Sequence, residues 1–393
     1  MQKPSKLAQI PQIRFAGFTD PWERCKLGEV AENTYGGGTP QTSVDSFWNG
    51  DIPWIQSQNI IENQLFDVVP QKYISEEAVL KSATKLIPKN SIAIVTRVGV
   101  GKLAFMQFSY CTSQDFLSLS GIRIDKKFAV YSIYKMLQKE KENVQGTSIK
   151  GITIEELLSK NIELPCNNAE QTKIGELFAN LDKLITLHQS KFEKLQKIKK
   201  SCLQNLFPQN NQNTPKIRFK NFSDEWENNN LGEICKIIKG EQINKLSLFE
   251  NGKYYVLNGG ISPSGYINTY NTLENTISIS EGGNSCGYVK FNIEKFWSGG
   301  HNYTLNELKT KTLFLYSFLK AKQQKIMALR VGSGLPNIQK NTLSNISISI
   351  PNSEEQEKIG AFFSKLDKLI SLQQRKVEKL KNIKKALLNK MLI

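Results

Sequence analysis

The sequence predicts an α+β protein: two β-rich domains joined by two long helices that form an antiparallel coiled coil, with an internal pseudo-two-fold repeat. Three observations carry this. A stretch of about forty residues occurs twice, EQTKIGELFANLDKLITLHQSKFEKLQKIKKSCLQNLF at 170–207 and EQEKIGAFFSKLDKLISLQQRKVEKLKNIKKALLNKML at 355–392, offset by 185 and identical at more than half the positions. A second pair, PQIRFAGFTDPWERCKLGEV at 11–30 and PKIRFKNFSDEWENNNLGEI at 215–234, opens each half. A third pair, GTSIKGITIEELLSKNIELP at 146–165 and GSGLPNIQKNTLSNISISIP at 332–351, precedes each long repeat.

In chain order these segments give a first domain over 11–165, a long helix over 166–207, a linker over 208–214, a second domain over 215–351 and a second long helix over 352–393. In the first domain Asp51-Ile-Pro-Trp-Ile reads as a turn entering a strand. IAIVTR (92–97) and the alternating KLAFMQF (102–108) read as two more, and residues 128–142 as an amphipathic helix. FPQNNQNTP (207–215) is rich in Asn, Gln and Pro and reads as an exposed linker. The second domain offers NTISIS (275–280) and GYVKF (287–291) as strands, glycine pairs at 259–260, 282–283 and 299–300, and a helix around 311–329. Between the repeated segments the two domains hardly resemble each other in sequence.

The long repeats contain no proline, and apolar residues recur at steps of three and four. Leu177, Leu181, Leu184, Leu195 and Ile198 form the expected seam of the first copy. Phe362, Leu366, Leu369, Leu380 and Ile383 form that of the second. At ~1.5 Å per residue each helix would run ~55–60 Å. Neither covers its seam alone, so each is expected to cover the other. His188 and Gln373 lie near the two midpoints, and an antiparallel pair sets them opposite each other. A polar residue inside such a seam costs stability and fixes register. Two amphipathic helices docked separately on globular domains are the alternative.

The chain of 393 residues has 52 Lys and Arg against 36 Asp and Glu, a formal charge of +16, which points to a polyanionic partner. The excess is spread over helices and domains and is not confined to a tail. Cys25, Cys111, Cys166, Cys202, Cys235 and Cys286 show no paired metal-ligand spacing, and only two histidines exist, so no metal is expected. Scattered cysteines without a signal peptide fit a reducing cytoplasm, and no apolar run approaches the ~20 residues that span a bilayer.

Arg14-Phe15, Trp22, Leu27-Gly28, the Gly-Gly-Thr-Pro turn at 37–40, Ile52-Pro53-Trp54-Ile55 and the Glu-Gln…Lys-Ile…Leu-Asp-Lys-Leu-Ile runs resemble the specificity subunits of type I restriction-modification enzymes. The resemblance covers nearly the whole chain, in order and in both halves. It implies two target-recognition domains, each reading one half of a split, asymmetric double-stranded DNA site, with the helix pair setting their spacing. It also implies two modification (methyltransferase) subunits as partners, which methylate adenine, and restriction-translocation subunits for cleavage.

On that footing DNA contacts divide into phosphate-holding and base-reading groups. Arg97 and Lys102 flank a glycine turn and suit phosphate, as do Lys239 and Lys290, with Lys150 a further DNA-binding candidate; Arg97 also suits guanine. Gln56, Gln58, Asn59 and Gln114 carry amides suited to adenine, with Thr39 beside them. In the second domain Asn258, Asn284, His301, Asn302, Tyr303 and Asn337 lie beside or near glycines that let backbone approach DNA.

Catalytic signatures are absent from the sequence. Gly99-Val-Gly-Lys102 is too short for a phosphate-binding loop and is followed by Leu103; no glycine-rich segment has the context for a cofactor, and no Asn/Asp-Pro-Pro-Tyr/Phe run occurs. The sequence and the resemblance together point to a non-catalytic, cofactor-free DNA-recognition subunit. Two alternatives stand beside it: a scaffold binding nucleic acid without sequence preference, and a small nuclease using Asp115 and Asp125-Lys126-Lys127.

Overall fold

The computed structural model describes residues 10–97, 99–143, 151–209, 212–332, 334 and 336–393. The chain divides into two compact units, Met1–Leu187 with Lys376–Ile393, and His188–Arg375. Each unit contains part of both long helices, which span Asn168–Asn205 and Ser353–Met391.

Among the described residues the first unit holds nine strands: β1 (Glu23–Lys26), β2 (Ala31–Gly36), β3 (Ile52–Ile55), β4 (Lys72–Ile74), β5 (Ser91–Val95), β6 (Leu103–Met106), β7 (Cys111–Thr112), β8 (Phe116–Ile122) and β9 (Asn161–Leu164). They form a four-stranded sheet β2-β8-β5-β6, a three-stranded sheet β4-β3-β7 and the pair β1-β9. Every residue of β5 is buried, as its SIAIV sequence requires of an inner strand. The helix Lys126–Asn143 lays Phe128, Val130, Tyr131 and Ile133 into one core with Ile92, Leu117, Leu119 and Phe178. Asp125 starts it by accepting the Phe128 N–H at 2.9 Å. Its other oxygen accepts the Thr172 hydroxyl at 3.2 Å, so this carboxylate is a helix cap and the nuclease reading falls away.

The second unit holds β10 (Glu227–Asn230), β11 (Lys236–Lys239), β12 (Tyr254–Leu257), β13 (Gly265–Ile267), β14 (Thr276–Ser280), β15 (Val289–Asn292), β16 (Trp297–Ser298), β17 (Asn302–Asn306) and β18 (Ser347–Ile350). Its sheets are β11-β17-β14-β15, β13-β12-β16 and β10-β18. Strand for strand this is the topology of the first unit, although the inserted sequences are unlike. In each, the small sheet joins its first and last strands in parallel, β3 with β7 and β12 with β16. The helix Thr312–Ala321 packs Phe314 and Phe318 around Phe207, Trp226 and Phe363.

Equivalent contacts tie each leading segment to the helices. Arg14 holds Glu170 through two hydrogen bonds of 2.6 and 2.8 Å, and Arg218 holds Glu355 through two of 2.8 Å. Both carboxylates are buried in the first turn of a long helix. The Ile13 N–H bonds the Lys390 carbonyl, which ends one long helix, and the Ile217 N–H bonds that of Asn205, which ends the other.

Candidate nucleic-acid interface

In each unit four strands end at one edge, and close backbone packing builds it. After β2, a Cβ on Gly37 would lie 1.8 Å from the Ser113 carbonyl oxygen, so the loop closes on the turn after β7 only with glycine there. After β11, a Cβ on Gly240 would lie 2.2 Å from the Gly299 carbonyl oxygen, the same device after β16. An indole N–H locks the next residue in both: Trp54 on the Gly38 carbonyl at 3.0 Å, and Trp297 on that of Glu241 at 3.2 Å.

At the first edge the Thr39 hydroxyl donates to Gln114 Oε1 at 2.6 Å, and Gln58 donates to Gln56 Oε1 at 3.1 Å. Asn59 is 8% exposed, and its Oδ1 accepts the Gln56 N–H at 2.8 Å, so it shapes the loop from inside. A cleft of 1240 Å³ opens here, lined by Gly37, Arg97, Lys102, Gln114, Lys141 and Thr153 among others. Arg97, Lys102 and Gln114 are thus brought together; Lys150 lies outside the described residues. Lys141 is an addition that the helical pattern of 128–142 concealed, because its role depends on which face meets the cleft. It pairs with Glu62 at 2.6 Å, and its hydrogen bond and charge hold the Glu62 carboxyl below the usual range.

At the second edge the carboxylate of Glu281 gathers three of the expected residues. Lys239 Nζ lies 2.6 Å and the Tyr303 hydroxyl 3.0 Å from Oε1, and His301 Nδ1 lies 3.5 Å from Oε2. Burial first, then the Glu281 hydrogen bond, pushes the Tyr303 hydroxyl up to about 12, so it stays a donor. The His301 N–H donates to Asn258 Oδ1 at 3.0 Å. Asn302 is 3% exposed and bonded to Ser298, and Tyr303 is 3% exposed, so both are internal supports. Asn284 and Asn337 are exposed. Lys290 is half-buried over the Tyr255 ring, and desolvation lowers its pKa. Glu281 was missed because a lone acid in a basic chain gives no nucleic-acid signal.

The long helices touch through repeat-equivalent residues. In the first unit Lys384 pairs with Asp182 at 2.5 Å; in the second Lys199 pairs with Asp367, the same two positions with the copies exchanged. His188 Nδ1 lies 2.8 Å from Gln373 Oε1. Within the second unit, stepping from Lys199 back to His188 moves the partner forward from Asp367 to Gln373. Leu366 is buried, while Leu177, Leu181, Leu195, Phe362 and Leu380 are half-buried. Four expected seam residues stand corrected: Leu184, Ile198, Leu369 and Ile383 are 43, 49, 40 and 38% exposed. Strict steps of three and four give a 3.5-residue period, whereas helices with 3.6 residues per turn drift from it; Val377 is buried and Ile185 and Phe192 are half-buried.

The family described as "Type I restriction modification DNA specificity domain" matches residues 19–199 and 223–382. The specificity subunit of the type I restriction enzyme MjaIX of Methanocaldococcus jannaschii is 26% identical, over 94% of this chain and 92% of that protein. That of EcoprrI of Escherichia coli is 24% identical over 86% of each. The crystal structure of a type I restriction-modification S subunit from M. genitalium superposes with a TM-score of 0.71 at 18% identity, covering 98% of this chain and 99% of that one. That likeness bears on the fold.

Proposed function

The chain belongs to the type I restriction-modification DNA specificity family, a sequence-specific, non-catalytic DNA-binding subunit, and we propose that it reads a two-part asymmetric site through its two strand-end edges. The observation that carries this is one topology presenting two chemically unlike edges. Arg97, Lys102 and Gln114 form one; Lys239, Glu281 and His301 form the other. Arginine and amide groups match guanine and adenine, and a carboxylate matches an exocyclic amine, so the half-sites differ. Thr39, Gln56 and Gln58 join the first reader; Asn258, Asn284 and Asn337 join the second. The domain limits are 11–165 and 215–351, and the spacer segments 166–207 and 352–393 carry the helices Asn168–Asn205 and Ser353–Met391.

The helices act as an antiparallel spacer with a pseudo-two-fold axis near His188 and Gln373. The exchanged Asp–Lys pairs support this, because a parallel pair would match each position with its own repeat. Leu184, Leu187 and Ile383 in the first unit, and Leu369, Leu372 and Ile198 in the second, are repeat-equivalents that stay exposed. Apolar side chains repeated at equivalent surface positions fit two copies of one partner, the modification subunits that methylate adenine. Restriction subunits join for cleavage. Among the described residues no helix is long and apolar enough to cross a membrane, and the six cysteines are free, in keeping with a reducing cytoplasm.

The test is a domain swap. Replacing residues 235–331 with the same region of a relative should change one half-site of the methylated sequence and leave the other intact. A swap that altered both would mean a single shared reading surface.

A further inference from the structure

We propose that Glu281 is a specificity-determining residue of the second edge, its Oε2 accepting a hydrogen bond from the exocyclic amino group of cytosine or adenine in the major groove. This rests on the reading of that edge as a DNA reader. Glu281 directly follows β14. Its backbone is fixed on both sides: its N–H donates to the His301 carbonyl and its carbonyl accepts the Ile338 N–H, each at 2.9 Å. Oε1 is filled by Lys239 and Tyr303. Oε2 is sealed from solvent and has no hydrogen-bond partner among the described residues.

An unpaired buried carboxylate oxygen is costly, and such atoms in a folded protein call for a partner. The His301 imidazole lies beside it, Nδ1 at 3.5 Å, too far for a firm hydrogen bond, and is 57% exposed. The His301 backbone is anchored through its N–H, its ring is exposed, and glycine at 259, whose Cβ would lie 3.1 Å from that of His301, leaves space beside it. Phosphate is repelled by a carboxylate. A base amine is the DNA donor that suits it, and Lys239 offsets the charge. In the first unit the strand equivalent to β14 is β5, and Arg97 stands just beyond its end, a donor where the second unit has an acceptor.

The test uses the chain assembled with its methyltransferase partners. In Glu281→Gln, the donors Lys239 and Tyr303 hold the amide oxygen at the Oε1 position, which puts the NH₂ where Oε2 was. Methylation mapping should then show one position of the second half-site shift from cytosine or adenine toward thymine or guanine, the first half-site being unchanged. An unchanged map, or an equal loss across the whole half-site, would overturn the assignment. A measurement independent of the variant's folding uses the parent complex on duplexes in which 2-pyrimidinone replaces each cytosine, or purine each adenine other than the methylated one, of that half-site. Deleting the recognised amine should lower kcat/KM about tenfold, in line with ~1–3 kcal/mol per base contact; insensitivity at every position would refute the proposal. A parent complex that showed no two-part site would instead sink the reading on which it rests.

Discussion

Two buried arginine–carboxylate pairs, Arg14–Glu170 and Arg218–Glu355, hold the leading segments onto the helix starts. Removing one partner strands a charge in the interior, so Arg218→Ala should destabilise the second unit by about 3–5 kcal/mol in denaturant unfolding. Lys320 makes a pH prediction. Burial first, then the charge of Lys199, lowers its pKa to about 8 from an ordinary 10.5, while Asp367 acts the other way. Its folded pKa lies below the unfolded one, so the unfolded chain binds more protons between these values and stability rises with pH across that window. Relative to Lys320→Met, the parent should therefore gain melting temperature from pH 8 to 10.5; a constant difference would show that the lysine is not desolvated. If the two strand-end edges hold DNA as proposed, phosphate contacts should make duplex affinity fall with salt, each neutralised phosphate contributing a slope of about −0.9. Flat binding between low and physiological salt would remove the basic-edge account.

The strands and helices were largely legible. SIAIV, TISIS and the two forty-residue runs announced themselves by apolar continuity or period, and the strand at 92–97 and helix at 128–142 appear as Ser91–Val95 and Lys126–Asn143. The helix seam was legible only in part. A heptad template placed Leu184 and Ile198 inside, where Asp182 and Lys199 in fact form ion pairs, because about a tenth of a residue per turn accumulates along a long helix. The sites were least legible, since Asn59 and Asn302 have the same amides as Gln56 and Asn258 and only packing separates a buried support from a candidate contact. The shared topology of the two inserts was also invisible, because it resides in strand pairing and glycine approach rather than in matching residues. At this scale Gly240→Ala should spoil the second half-site and spare the first, since its Cβ would collide with the Gly299 carbonyl. Methylation mapping of the variant checks this, and an intact second half-site would mean that the loop relaxes freely.

The exchanged ion pairs and the His188–Gln373 contact give the molecule its proposed logic: one frame used twice, with unlike readers mounted on it and a helical spacer between them. Lengthening both helices by one turn each should widen the unspecified gap in the DNA target and leave the bases of both half-sites as they were. The exposed leucines at 184, 187, 369 and 372 belong to the same logic, and Leu369→Asp with Leu372→Asp should weaken assembly with the modification subunit, read by size-exclusion chromatography, without loss of helicity.

The central claim is that this chain alone chooses a two-part DNA sequence. The most direct measurement is single-molecule sequencing of methylated DNA from cells that carry the chain with its modification partner, compared with cells that carry the partner alone. Methylated adenines should appear only with the chain present, within two unlike half-sites separated by a fixed gap of unspecified bases. Methylation at a single uninterrupted sequence, or at sites with no common sequence, would contradict the account.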